Sequence, residues 1–249
     1  MASRKRTAGT RGGRAPGGRA LTFGAAGELL ARVEAATVRL TRRGGQGVLV
    51  PGRVILTATH CIHWEADGGG MLGDHYLEPI ETKSGATFNV APVAVEAVAD
   101  IAALGALDNQ QFERFADDCA AFEEWRERTE AVRLSDLFTM WNDSIGDDGE
   151  DHSFPVYALT HTGEWIAGRA KRFGFQDMWT GGIHVHFERP IGGGTSGGPI
   201  VDDVGQLVGV VSVTNVVGDD RACDGMQPIA AHALPHWVLQ RIAKGDGRV

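Results

Sequence analysis

The stretch Gly192-Gly193-Gly194-Thr195-Ser196-Gly197-Gly198-Pro199-Ile200-Val201 decides how this chain is read. One serine stands in a run of glycines, directly ahead of a short apolar strand. Glycine admits positive φ and the close approach of another backbone. A hydroxyl held in such a turn suits a nucleophile. Successive N–H groups turned toward one point suit a developing oxyanion, usually the largest single contribution in acyl transfer. The N–H groups of Gly194 and Ser196 are the expected pair.

A serine hydroxyl is a weak nucleophile until a base takes its proton, and the base needs a group to orient it. Val54-Ile55-Leu56-Thr57-Ala58-Thr59-His60-Cys61 supplies an apolar strand running through small residues into a histidine. Val98-Ala99-Asp100-Ile101-Ala102-Ala103-Leu104 supplies an acid ahead of an apolar run. A buried carboxylate is costly unless paired, and an imidazole N–H is a suitable partner. Taken singly, Ser196 also fits a glycine-rich hairpin, His60 a structural histidine and Asp100 a turn cap.

Thr57-Ala58-Thr59-His60-Cys61, Asp100-Ile101-Ala102 and Gly194-Thr195-Ser196-Gly197-Gly198-Pro199, in this order, resemble the trypsin/chymotrypsin-like serine peptidases. The likeness spans about residues 30 to 245 and is nearest to the bacterial and viral trypsin-like domains. It implies an all-β fold of two six-stranded antiparallel β-barrels, with a helical insert between them and a C-terminal helix. It implies His60 as general base and then acid, Asp100 as its orienter, and Ser196 as the residue acylated. By position it places Pro190 and Ile191 near the base of the primary specificity pocket. Ser212, Val213 and Thr214 then lie on the strand that pairs with substrate backbone. With no acid evident there, an apolar or small residue is expected before the scissile bond. Thr195 stands where zymogen-activated members carry an acid that captures a freed N-terminus. Threonine cannot form that ion pair, so the site is expected to need no such clipping.

The organisation expected is a basic tail over 1–20, a first barrel over 21–106, a helical and acidic connector over 107–152, and a second barrel with the C-terminal helix over 153–249. Abundant glycine, 35 residues in 249, with short apolar runs favours a turn-rich β protein. Pro51-Gly52 between two apolar runs reads as a hairpin turn. Glu28 to Leu40 carries Leu29, Leu30, Val33, Val38 and Leu40 and reads as leading into a first strand. Over Asp108 to Met140 the apolar residues fall at spacings of three and four, a helical pattern. That segment reads either as a connector packed on the barrels or as a lid or docking element for a protein regulator. Ile183-His184-Val185-His186-Phe187 alternates, which puts both histidines on one strand face. A metal needs more ligands than these two, so an ordinary strand face is expected and no metal or organic cofactor is assigned.

The net charge of −8 hides a split: residues 1–20 hold six basic residues and no acid. Such a head is either a solvated tail or an electrostatic arm, so nucleic acid is expected to bind weakly at most. No run approaches the length of a membrane span. No apolar stretch of the secretory type follows the basic residues, which points to the cytoplasm. Three cysteines do not make a disulfide framework, and Cys61 reads as a buried thiol. The partner expected is a protein or peptide substrate. A non-catalytic or partner-triggered peptide-binding module and an esterase are the competing readings.

Overall fold

The computed structural model describes residues 23–62, 77–106, 115–135, 153–172, 182–216 and 223–245. The basic tail, the loop after His60 and the acidic loop over 143–151 lie outside these residues, as do both ends of the 108–140 segment.

The chain opens with helix α1 (Phe23–Ala35), where a run into a strand was expected; Val33, on its inner face, is fully buried. Then come β1 (Thr37–Leu40), β2 (Gln46–Val50), β3 (Val54–Thr57), β4 (Glu78–Thr82), β5 (Thr87–Glu96) and β6 (Ile101–Gly105). All neighbouring pairs are antiparallel, and they close into a barrel in the order β1-β2-β3-β6-β5-β4. The Pro51-Gly52 hairpin is present, with Leu49 opposite Ile55. Gly52 takes φ 83°, and a Cβ there would lie 2.6 Å from the Arg241 carbonyl, so glycine lets the C-terminal helix pack onto this hairpin. Residues of β2, β3 and β6 are buried on both faces, since one side lines the barrel and the other is covered.

Helix α2 (Ala116–Arg128) lies within the expected helical insert. Phe122 and Trp125 pack with Phe88 of β5, the Phe88–Phe122 rings meeting edge-on at 6.0 Å. Burying Phe122 fully contributes roughly 1.5–3 kcal/mol. Asp118 accepts the Asn89 N–H at 2.8 Å, fixing the helix on the strand. The apolar face of this helix is therefore spent on the first barrel.

The second lobe holds β7 (Phe154–Leu159), β8 (Trp165–Arg172), β9 (Gly182–Phe187), β10 (Pro199–Val201), β11 (Leu207–Val210), β12 (Val213–Val216) and β13 (Cys223–Pro228). Their order is β11-β10-β7-β8-β9-β13-β12. This is a seven-stranded curled sheet rather than a second closed six-stranded barrel. Strand β11, at one end, meets the residue that follows β13 at an isolated bridge, Gly209 with Ile229, where a Cβ on Gly209 would collide with the Pro228 carbonyl. Among the described residues strand β12 pairs with β13 alone and forms an edge.

Alternation on β9 holds: Ile183, Val185 and Phe187 are buried, while His184 is half-buried and His186 exposed. The pair faces a carboxylate, since Asp224, opposite His186 in β13, hydrogen-bonds its Nδ1. Among the described residues no cluster of three or more His, Cys, Asp or Glu could hold a metal ion. The short helix α3 (Ala230–Ala233) and helix α4 (His236–Lys244) complete the chain, with Val238 and Ile242 packed into the core of the first barrel. Cys61 and Cys119 are buried and form no disulfide. Among the described residues no helix is long and apolar enough to cross a membrane.

Candidate active site

Strand β3 ends at Thr57, and a single 3₁₀ turn, Thr59–Cys61, presents His60 at the edge of the first barrel. The tight turn between β5 and β6 brings Asp100 to it. Asp100 has φ 56°, a left-handed backbone that aspartate tolerates better than most residues. Both carboxylate oxygens are used. His60 N–H donates to Oδ1 at 3.0 Å, and the ring Nδ1 lies 2.8 Å from Oδ2. The Ser212 hydroxyl also donates to Oδ2. A carboxylate only accepts, so Nδ1 carries a proton, and whenever the ring is neutral Nε2 is the bare nitrogen.

The electrostatics follow from this contact. The Asp100 hydrogen bond raises His60 well above the ordinary imidazole value; Cys61 adds to the rise and burial opposes it. Burial works to raise Asp100, but the His60 ring, the Ser212 hydroxyl and the His60 backbone N–H outweigh it, and the net shift is downward.

Ser196 comes from the other lobe, in the turn entering β10. Its carbonyl accepts the Gln46 N–H at 2.8 Å. Gln46, at the start of β2, is buried, and its side-chain N–H reaches the Thr160 carbonyl at 3.3 Å. Gly197, at φ 78°, sits so close to β3 that a Cβ would collide with the Gln46 carbonyl and the Thr57 hydroxyl. Its N–H donates to the Val211 carbonyl at 2.7 Å, and Val211 N–H returns to Gly198 at 2.8 Å. The serine turn is thus clamped to β2, packed against the end of β3 that leads into His60, and bonded to Val211, which adjoins the Ser212 bound to Asp100. Gly194 takes φ 87°.

Of the residues expected to bind substrate, Pro190 is exposed and Ile191 is half-buried against the core of the second sheet. Ser212 turns its hydroxyl to Asp100 and so joins the His60–Asp100 pair. Val213 is 52% exposed and opens edge strand β12, on which Thr214 pairs with Gly225. Two residues that sequence reasoning passed over touch this assembly. One is His161, in the turn after β7, which reaches Thr195. The other is Gln227 of β13, almost wholly buried. Gln227 accepts the Ser212 N–H and donates from Nε2 to the Val213 carbonyl at 3.0 Å. It therefore fixes the backbone of the edge strand at its start. Replacing it with leucine leaves both backbone groups without that partner, at a cost of about 1–3 kcal/mol. Gln227→Leu is expected to lower the unfolding midpoint in urea and to raise KM for peptides more than it lowers kcat.

The model of the trypsin-like peptidase domain matches residues 45–210, and the chain belongs to that family. Solved structures with TM-scores of 0.50 and above share the fold at low identity. The HtrA-type protease AlgW with tripeptide is 16% identical with a TM-score of 0.55, over 87% of this chain and 63% of that one. The serine endoprotease from Yersinia pestis is 16% identical with a TM-score of 0.50, over 90% and 68%. The inactive form of the Rv3671c protease, from M. tuberculosis, is 14% identical with a TM-score of 0.46, over 88% and 93%. No curated protein sequence matches the chain.

Proposed function

We propose that this chain is a serine endopeptidase in which Ser196 attacks the scissile carbonyl. His60 Nε2 takes the hydroxyl proton as the Ser196 Oγ–carbon bond forms. The N–H groups of Gly194 and Ser196 bind the oxyanion. The tetrahedral adduct collapses, the C–N bond breaks, and His60 returns its proton to the leaving amine. Water, deprotonated by His60, then hydrolyses the ester and frees Ser196. Asp100 holds the imidazole in the Nδ1–H tautomer and stabilises the imidazolium. The observation that carries this reading is the pairing of His60 Nδ1 with Asp100 Oδ2 at 2.8 Å. Family membership supports it.

The side of β12 away from β13, unpaired among the described residues, would take an extended peptide as an added strand. Among the described residues, Val98, two positions before Asp100, and Val213, which opens β12, are exposed large apolar side chains. Pro190, Ile191 and Thr214, which the family resemblance assigns to the primary pocket, carry no charge, and this favours a small or apolar residue before the scissile bond. A proteome-derived peptide library read by mass spectrometry tests both points. Cuts that are missing with Ser196→Ala and fall after small or apolar residues are expected. Cuts confined to sites after Arg, Lys or Glu would refute the pocket assignment. A library left intact by folded protein would refute the peptidase.

A further inference from the structure

Two residues beside the nucleophile, a buried hydroxyl and a histidine, have no part in the reaction above. Thr195, immediately before the nucleophile, is fully buried. Its Oγ1 lies 3.3 Å from the backbone N of His161 and 3.3 Å from its ring Nδ1. The hydroxyl accepts the amide N–H and gives its own proton to ring Nδ1, so both of its hydrogen-bonding roles are used. The same ring lies along the glycines that precede the nucleophile. A Cβ on Gly194 would stand 3.4 Å from the ring Cγ, and one on Gly192 would stand 3.5 Å from Cε1.

His161 is itself well held. Its turn is closed by Thr160 N–H to the Glu164 carbonyl at 2.8 Å and by Gly163 N–H to the Thr160 carbonyl at 3.0 Å. The Thr160 carbonyl also receives the Gln46 side chain from the first barrel. Gly192, Gly193 and Gly194 have the opposite character. Three glycines in a row carry the largest backbone freedom a chain can have. Oxyanion donors act only when their direction is set beforehand, and a misplacement of about 1 Å costs about 100-fold in rate.

We propose that His161 is a positioning residue for hydrolysis: through the Thr195 hydroxyl and the faces of Gly192 and Gly194, it braces the backbone that carries the oxyanion donors. The inference rests on the peptidase reading above for its catalytic consequence, but the brace itself can be observed without catalysis.

The test uses full-length Thr195→Val, Thr195→Ser and His161→Phe proteins, with two readouts. In steady-state peptide cleavage, Thr195→Val and His161→Phe are expected to lower kcat by about 10- to 100-fold with KM within about twofold. Thr195→Ser, which keeps the hydroxyl, restores most of that loss. In amide hydrogen exchange, Gly194 and Ser196 are expected to exchange about tenfold faster in the two disruptive variants, with β7 to β9 unchanged. Unchanged exchange at Gly194 and Ser196 overturns the brace. Accelerated exchange with an unchanged kcat in an active protein overturns its catalytic role. A wild type that cleaves nothing, while exchange still responds to Thr195→Val, leaves the brace standing and removes the peptidase reading instead.

Discussion

Ser196→Ala and His60→Ala are each expected to lower kcat by about 10⁶-fold, with substrate binding retained. The two losses should not add. Without Ser196 no acyl-enzyme forms, and without His60 the hydroxyl keeps its proton, so either change removes the same step. The double variant should be no slower than the single ones. The residue of activity over water, about 10³–10⁴-fold, then belongs to peptide binding and the oxyanion donors. Neither side chain supports the core. His60 is exposed and Ser196 half-buried, so both variants should fold as the wild type does. Steady-state assays with circular dichroism as the folding control decide the matter. Activity within tenfold of wild type in either variant would rule out the assigned roles.

Asp100→Asn carries the second largest effect, about 10⁴-fold in kcat. Asparagine can donate to Nδ1, and the ring then offers the wrong nitrogen to Ser196. The pH dependence should change as well. His60 acts as a base only when neutral, and Asp100 raises its pKa, so kcat/KM should rise with pH through a value well above ordinary imidazole. Asp100→Asn removes the largest cause of that rise, and the acid limb should move to lower pH. Stability follows the same pair. Asp100 is lowered in the fold, so its contribution is present above the unfolded value of 3.8 and fades as pH falls through its lower folded value. His60 is raised, so its contribution is full below 6.5 and is lost as pH climbs through its folded value. The gap in thermal midpoint between wild type and Asp100→Asn should be widest between pH 3.8 and 6.5. A midpoint gap independent of pH would contradict the pairing.

The residues proposed to carry this chemistry stand out in the sequence because chemistry narrows the choice there. Glycines around Ser196 are required where backbone meets backbone, and Gly197 shows the collision that any other residue would cause. Asp100 ahead of an apolar strand called for a partner, and His60 is that partner. Much of the fold was less legible. Strand β13 reads Cys-Asp-Gly-Met-Gln-Pro, without β-branched or aromatic residues. It is a strand because β9 and β12 pair with it on both sides. Strand β4, Glu-Pro-Ile-Glu-Thr, has a proline and two acids, and only the barrel's closure makes it a strand. Helix α1 carried Leu29, Leu30 and Val33 at helical spacing, but the neighbouring Val38 and Leu40 drew the run toward a strand reading. His161 and Gln227 could not be found at all. One is a turn residue with no local pattern, and the other lies in that unreadable strand. Their contacts, to Thr195 and to the Ser212–Val213 backbone, exist only once the sheet is assembled.

The central claim is an activated Ser196, and covalent trapping tests it most directly. Full-length protein is treated with a fluorophosphonate, weighed intact by mass spectrometry, and the adduct is mapped by digestion. One adduct per chain, on the peptide containing Ser196 and missing from Ser196→Ala and His60→Ala, is the expected result. A folded wild type that takes no adduct, or an adduct that persists in Ser196→Ala, would contradict it.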